Sequence, residues 1–79
     1  MGPELDLHRM TVDEALPKID DFLHDIYSAG LHYALIVHGK GTGALRSKVH
    51  SYLKMKKQVK SIGTPPQEHG GSGVTVIGI

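Results

Sequence analysis

An acid and an imidazole two residues apart, Asp6 and His8, stand near the start of this chain, and a glycine-rich run, His38-Gly39-Lys40-Gly41-Thr42-Gly43, stands at its middle. Side chains two apart on an extended segment point the same way, so within Leu5-Asp6-Leu7-His8 the leucines share one face and Asp6 and His8 the other. Such a pair can orient an imidazole tautomer, do general acid and base work, or hold a divalent cation such as Mg2+ or Mn2+. It is also what the solvated side of a half-exposed strand looks like. In the second stretch three glycines in five positions let the backbone turn sharply and approach a ligand closely. A helix beginning just after it adds free N–H groups and the positive end of a dipole, which makes phosphate the expected guest. Lys40 and Arg46 supply positive charge, and Thr42 a hydroxyl that caps the helix or donates to a phosphate oxygen. His38, at the entrance, faces either the core or the ligand. The run does not match G-x-x-x-x-G-K-[ST], and its third glycine comes one place early for G-x-G-x-x-G. With so short a chain, ATPase and dinucleotide-binding roles are excluded.

The elements that must position these residues can be read from periodicity. Residues 5 to 8 alternate as a strand. Thr11 and Glu14 form a T-x-x-E capping box, and Val12, Leu16, Ile19, Leu23 and Ile26 recur at helical spacing up to Gly30, which predicts a helix over about 12 to 29. Pro17 removes one of its internal hydrogen bonds and should kink its first turns. A second strand is expected at 33 to 37. A second helix follows over about 44 to 56, with Leu45, Val49, Tyr52 and Leu53 on its core stripe. Residues 59 to 63 and 74 to 79 are strand-like and are joined by a turn-rich segment in which His69 and Gly70 to Gly73 form a flexible turn. The order βαβαββ, with right-handed crossovers joining parallel strands, makes the first three strands parallel, puts both helices on one face and returns the last strand antiparallel. The fold class is thus α/β, an α+β two-layer sandwich with a four-stranded mixed sheet. The loops after strands one, two and three then meet at the carboxyl edge of the sheet, where ligands bind in open α/β sheets.

Seventy-nine residues suit one small domain, assigned to 4–79, with 1–3 set aside as appended or linker residues. Without cysteine there is neither a disulfide framework nor a zinc finger. No apolar run approaches a membrane span and the N-terminus lacks a signal-peptide pattern, so a soluble cytoplasmic protein is expected. The net charge of +1 hides a division: residues 1–30 carry seven acids against Arg9 and Lys18, whereas 31–79 carry seven cations against Glu68 alone. A basic half that begins at the glycine run reads as a nucleic-acid footprint, although the Lys54 to Lys60 cluster alone is equally a solvated face. Of the four aromatics, Phe22, Tyr27, Tyr33 and Tyr52, several fall at core-facing positions, so recognition through backbone and shape is favoured over base stacking. His24, His32 and His50 receive no role.

Taken together, LDLH near the start, HGKGTG followed by ALR, and GGSGVTVI at the end resemble the Smr (small MutS-related) domain over nearly the whole chain. With Thr64-Pro65-Pro66, they are most similar to the form at the C-terminus of bacterial MutS2 proteins. The resemblance implies a fold like the C-terminal domain of translation initiation factor three. It also implies nucleic-acid cleavage or nicking, in proteins associated with recombination suppression or rescue of collided ribosomes, and a longer ATPase-bearing parent chain. By position it marks Asp6 and His8 in the first motif and His38 through Gly43 in the second. Arg9 departs from the glycine that commonly follows the first motif.

These observations lead to an expected endonuclease domain acting on branched DNA or structured RNA, with the ribosome as a further partner. Asp6, His8 and His38 would handle protons, while Arg9, Gly39, Lys40, Gly41, Thr42, Gly43 and Arg46 would hold phosphate. A divalent cation is not required by the few acids present. The alternatives are a docking module that binds nucleic acid or the ribosome without cutting, and a protein-interaction domain using an open sheet face that exposes Ile77 and Ile79.

Overall fold

The computed structural model describes residues 2–41 and 43–79. Strand β1 (Glu4–Asp6), helix α1 (Val12–Ser28), strand β2 (Tyr33–Val37), helix α2 (Ala44–Lys54), strand β3 (Ser61–Gly63) and strand β4 (Val74–Gly78) follow in that order. The sheet order is β1-β2-β4-β3: β1 runs parallel to β2, and β4 lies antiparallel to both β2 and β3. The first three strands are therefore parallel, as βαβαββ requires, and the last strand inserts between the second and third rather than adding at an edge.

Helix α1 is held at both ends by local chemistry. The Thr11 side chain accepts from the Glu14 N–H and the Glu14 carboxylate accepts from the Thr11 N–H, closing the capping box. At the other end Gly30, at φ 72°, lets Leu31 N–H reach the Ile26 carbonyl and Gly30 N–H the Tyr27 carbonyl, a Schellman closure. Pro17 does not interrupt the helix. Helix α2 stops at Lys54, earlier than expected, because Met55 and Lys56 bond back three residues and tighten the last turn. Val59 N–H closes on the Lys56 carbonyl in the same way, so the β3 register begins only at Ser61, with Lys60 N–H bonding the Gly78 carbonyl just before it.

Ala15, Ile19, Leu23 and Ile26 of α1 pack with Val49 and Leu53 of α2 onto Leu7, Ala34, Ile36 and Ile77. Register places the sheet members of this set on one face, since Ala34 stands opposite Ile77 and Ile36 opposite Thr75. Both helices cover that face. Ile77 is thus fully buried and Ile79 packs half-buried against the core, so neither lies on an open sheet face. The opposite face carries Leu35, Val37, Val74 and Val76 instead. Tyr27 and Tyr33 are 65% and 54% exposed, outside the core. The helices are also joined by polar contacts: Tyr52 donates to Asp20, and Lys56 pairs with Asp20 at 2.9 Å while lying over the Tyr52 ring.

The segment before β4 is a defined structure rather than a flexible turn. Two 3-10 turns, Gln67–His69 and Gly71–Gly73, are linked through Gly70 at φ 110°. A Cβ at Gly70 would stand 2.3 Å from a Val74 methyl. Gly70→Ala combines that overlap with a left-handed backbone, so it should cost about 2 kcal/mol or more and lower the melting temperature by about 8 to 16 °C, as read by thermal unfolding.

Candidate functional site

The strands deliver three segments to the carboxyl edge. Leu7 N–H still bonds the Val37 carbonyl at 2.6 Å, but the ladder ends at Asp6, two residues short of the expected strand, because Arg9 turns the chain at φ 66°. This is the left-handed region that favours glycine. His8 therefore lies just past the strand and packs beside Gly39, where an added Cβ would meet His8 Cβ at 3.4 Å. A groove of about 560 Å3 is lined by His8 and Arg9 on one side and by His38, Gly39, Lys40, Gly41, Gly43 and Arg46 on the other. Thr42 lies outside the described residues. No Asp or Glu lines the groove, and among the described residues no group of three or more His, Asp or Glu converges as metal ligands would.

Asp6 and His8 form a dyad. One carboxylate oxygen, Asp6 Oδ1, accepts from the His8 backbone N–H at 3.0 Å and meets the His8 ring at Nδ1 at 2.5 Å. A carboxylate can only accept, so Nδ1 carries a proton, and in the neutral ring Nε2 presents a lone pair. These hydrogen bonds hold the Asp6 carboxyl below the usual carboxylate range. Both side chains are about half exposed, which leaves the dyad in contact with solvent at the mouth of the groove.

The glycine turn is clamped from the far strand. The Gly73 carbonyl accepts from both His38 N–H and Gly39 N–H, each at 3.0 Å, and a side chain at position 73 would run into Lys40 and the Gly39 carbonyl carbon. Gly39, Gly41 and Gly43 all take positive φ, at 83°, 30° and 84°. Left-handed residues on both sides of Lys40 are the kind of alternation that tips successive N–H groups toward one side in an anion nest. Among the described residues no acceptor meets the N–H groups of Lys40 or Gly41. Arg46, on the first turn of α2, donates to Thr64 Oγ1 at 3.3 Å, while its buried Nε meets no acceptor.

His38 is not placed as a proton-transfer group. It is 4% exposed, and both ring nitrogens are occupied: Nδ1 by the Gly39 carbonyl at 3.0 Å and Nε2 by Thr75 Oγ1 at 2.8 Å. The expected catalytic use of His38 yields to this geometry, because the end of β2 turns its ring under the helices. The structure adds two residues that sequence reasoning passed over. His50 Nε2 reaches the same Thr75 hydroxyl at 2.7 Å, and its ring stands edge-on to His38 with centroids 6.1 Å apart. The available signal was spacing, since His50 follows Arg46 by four residues on α2 and so shares its side.

Burial, aided by the positive charge of Arg46, lowers the pKa of both His38 and His50 below the ordinary histidine value of 6.5. The unfolded chain then binds more protons than the folded one below pH 6.5, so this contribution to stability is complete above that value and is lost as pH falls through the folded-state pKa values. Asp6, Glu14 and Asp20, all with lowered pKa, add a loss only below their reference values of 3.8 to 4.5. The urea midpoint should therefore already be lower at about pH 5 than at about pH 7.5, and the difference should shrink in His50→Gln, which removes one titrating ring. Arg9→Gly should relieve the left-handed strain for a net gain of about 0.5 kcal/mol, or a melting temperature about 2 to 4 °C higher.

The Smr domain profile matches residues 5–79. The chain is 44% identical over 77 residues to a protein named Endonuclease MutS2 from Pelotomaculum thermopropionicum, covering 98% of this chain and 10% of that one. It is 47% identical over 76 residues to Endonuclease MutS2 from Symbiobacterium thermophilum, covering 96% and 10%. Its structure is similar to the crystal structure of the Smr domain of Thermus thermophilus MutS2, with a TM-score of 0.94 at 42% identity over 98% of this chain and 96% of that one. It is also similar to YdaL, a stand-alone small MutS-related protein from Escherichia coli, with a TM-score of 0.90 at 30% identity over 96% and 63%. The chain thus spans about a tenth of the length of these curated relatives. The match across both helices, all four strands and both motif loops carries one conclusion: this chain belongs to the Smr domain family.

Proposed function

We propose that this chain is a nucleic-acid endonuclease domain, with His8 as the general base or acid and the 38–43 turn as the seat of the phosphate. The observation that carries this reading is the placement of a carboxylate-oriented imidazole, His8 on Asp6 at 2.5 Å, in the wall of the same groove as the glycine turn, Lys40 and Arg46. An Asp-His pair fixes the tautomer and supports positive charge on the ring as it takes a proton. His8 Nε2, which bonds to no described residue, is then the atom that removes the proton from the attacking hydroxyl. The Lys40 and Gly41 N–H groups, unpaired among the described residues, and the Arg46 cation in the groove wall are donors that would meet charge growing on a phosphate in the transition state. A nucleic acid supplies that phosphate in a form the basic half of the chain attracts from a distance.

The relatives named Endonuclease MutS2 support the class of reaction. Cleavage of branched DNA or structured RNA, and service in recombination suppression or rescue of collided ribosomes, belong to the parent protein in this reading. If a divalent ion takes part, Asp6, bonded to the groove-lining His8, is the carboxylate that would hold it, with one oxygen already committed to His8; Mg2+ commonly needs only one or two carboxylates beside substrate phosphate. The rival reading is a docking module, in which the groove binds phosphate and the dyad is only a local ion pair.

Cleavage of supercoiled DNA and of structured RNA, with and without chelator, separates the two. His8→Ala and Asp6→Asn should each lower the rate by about a hundredfold or more while leaving binding nearly unchanged. Lys40→Ala and Arg46→Ala should weaken binding, each reducing the salt dependence of log K by about one slope unit. Wild-type rates in both dyad variants would overturn the catalytic assignment and leave the docking module standing.

A further inference from the structure

Thr75 is fully buried on the helix-covered face of the sheet, opposite Ile36 and two residues from Ile77. Packing alone does not call for a hydroxyl there, since valine fills the same space in a strand and a buried hydroxyl is costly unless bonded. We propose that Thr75 and His50 are positioning residues of the phosphate turn: a one-way chain of hydrogen bonds from His50 through Thr75 and His38 to the Gly39 carbonyl sets the direction of the Lys40 N–H. The inference rests on the phosphate-binding reading above and deepens it.

The direction of the chain follows from what each group can do. The Gly39 carbonyl can only accept, so the proton of the 3.0 Å contact sits on His38 Nδ1. In its buried place, facing the Arg46 cation, the neutral ring offers a lone pair at Nε2, and Thr75 must donate to it across 2.8 Å. The single hydroxyl proton is then spent. Thr75 Oγ1 can only accept from His50, whose Nε2 therefore carries a proton at 2.7 Å. Each donor of this chain has one acceptor, and none of its protons is left over.

The consequence appears at the ligand side. A trans peptide holds its C=O and N–H in opposite directions, so fixing the Gly39 carbonyl toward the His38 ring turns the Lys40 N–H away from it. That N–H meets no acceptor among the described residues. A second proton on His38 would put two N–H groups against one hydroxyl and leave the Thr75 proton without a partner, breaking the chain at Thr75 while Nδ1 still donates to the Gly39 carbonyl. The charged and titratable groups that bear on these rings are Arg46 on both, and the His38 ring and Lys54 on His50.

The test begins with the imidazole nitrogens of the 79-residue chain, read by NMR at about pH 7.5, above the ordinary histidine range. His38 should be protonated at Nδ1 and His50 at Nε2; His38 protonated at Nε2 instead overturns the proposal. Thr75→Val should move the Lys40 amide resonance, mix the His38 tautomers and weaken binding of a short DNA hairpin about tenfold, and Thr75→Ser should restore all three to within about twofold. If Thr75→Val fails to fold, His50→Gln, which keeps an N–H donor, is compared with His50→Leu, which does not. Equal Lys40 resonances and affinities in that pair, or a wild-type Lys40 resonance and affinity in Thr75→Val, sink the idea. Hairpin that fails to bind the wild-type chain removes the phosphate reading and this role together, whereas normal binding with the wrong tautomers removes this role alone.

Discussion

One carbonyl oxygen, that of Gly73, accepts from the N–H groups of two successive residues, His38 and Gly39, just where β2 ends and β4 begins. The carboxyl edge of the sheet depends on this contact. It forms because β4 runs antiparallel beside β2, so the entrance of one strand meets the exit of the other. It also explains why both loops are rich in glycine. The backbones approach so closely that a Cβ at position 73 would come within 3.2 Å of the Lys40 side chain. From this clamp follow the course of the glycine turn, the burial of the His38 ring, and the nearness of Gly39 to His8.

The electrostatics of the edge centre on Arg46. Its guanidinium lines the groove, donates to Thr64 in the loop after β3, and disfavours a second charge on the histidines behind the turn. Acidic groups are kept elsewhere or engaged: Asp6 is committed to His8, and Asp20 is bound by Tyr52 and Lys56 between the helices. A groove lined by cations and N–H groups, without a carboxylate in its wall, has the sign that phosphate needs. The same fold is found in a domain of a longer MutS2 protein and in a stand-alone small MutS-related protein, which fits an edge assembled entirely from the domain's own loops.

Much of the architecture is legible in the chain because its causes are local. The capping box of Thr11 and Glu14, the Schellman closure at Gly30 and the strand at Tyr33–Val37 depend on residues within a few positions of one another. The parallel arrangement of β1, β2 and β3 follows from the helices between them. Element ends were less legible. Arg9, in the glycine-like conformation, ends β1 early, and three-residue backbonding ends α2 early, since both depend on turn geometry that residue types only weakly specify.

The order of residues by itself determined the helices, the parallel strands and the edge at which Asp6, His8 and the glycine turn meet, because periodicity and crossover handedness are properties of neighbouring segments. Only the tertiary structure decided where β4 goes, and with it which face each imidazole sees. Thr75 lies 37 positions from His38 and 25 from His50, yet its hydroxyl joins them. The insertion of β4 likewise buries Ile77 and ties the His38 ring nitrogens into a network beneath the turn. Those outcomes come from pairing between distant strands, whose register and position depend on burying the whole apolar face at once.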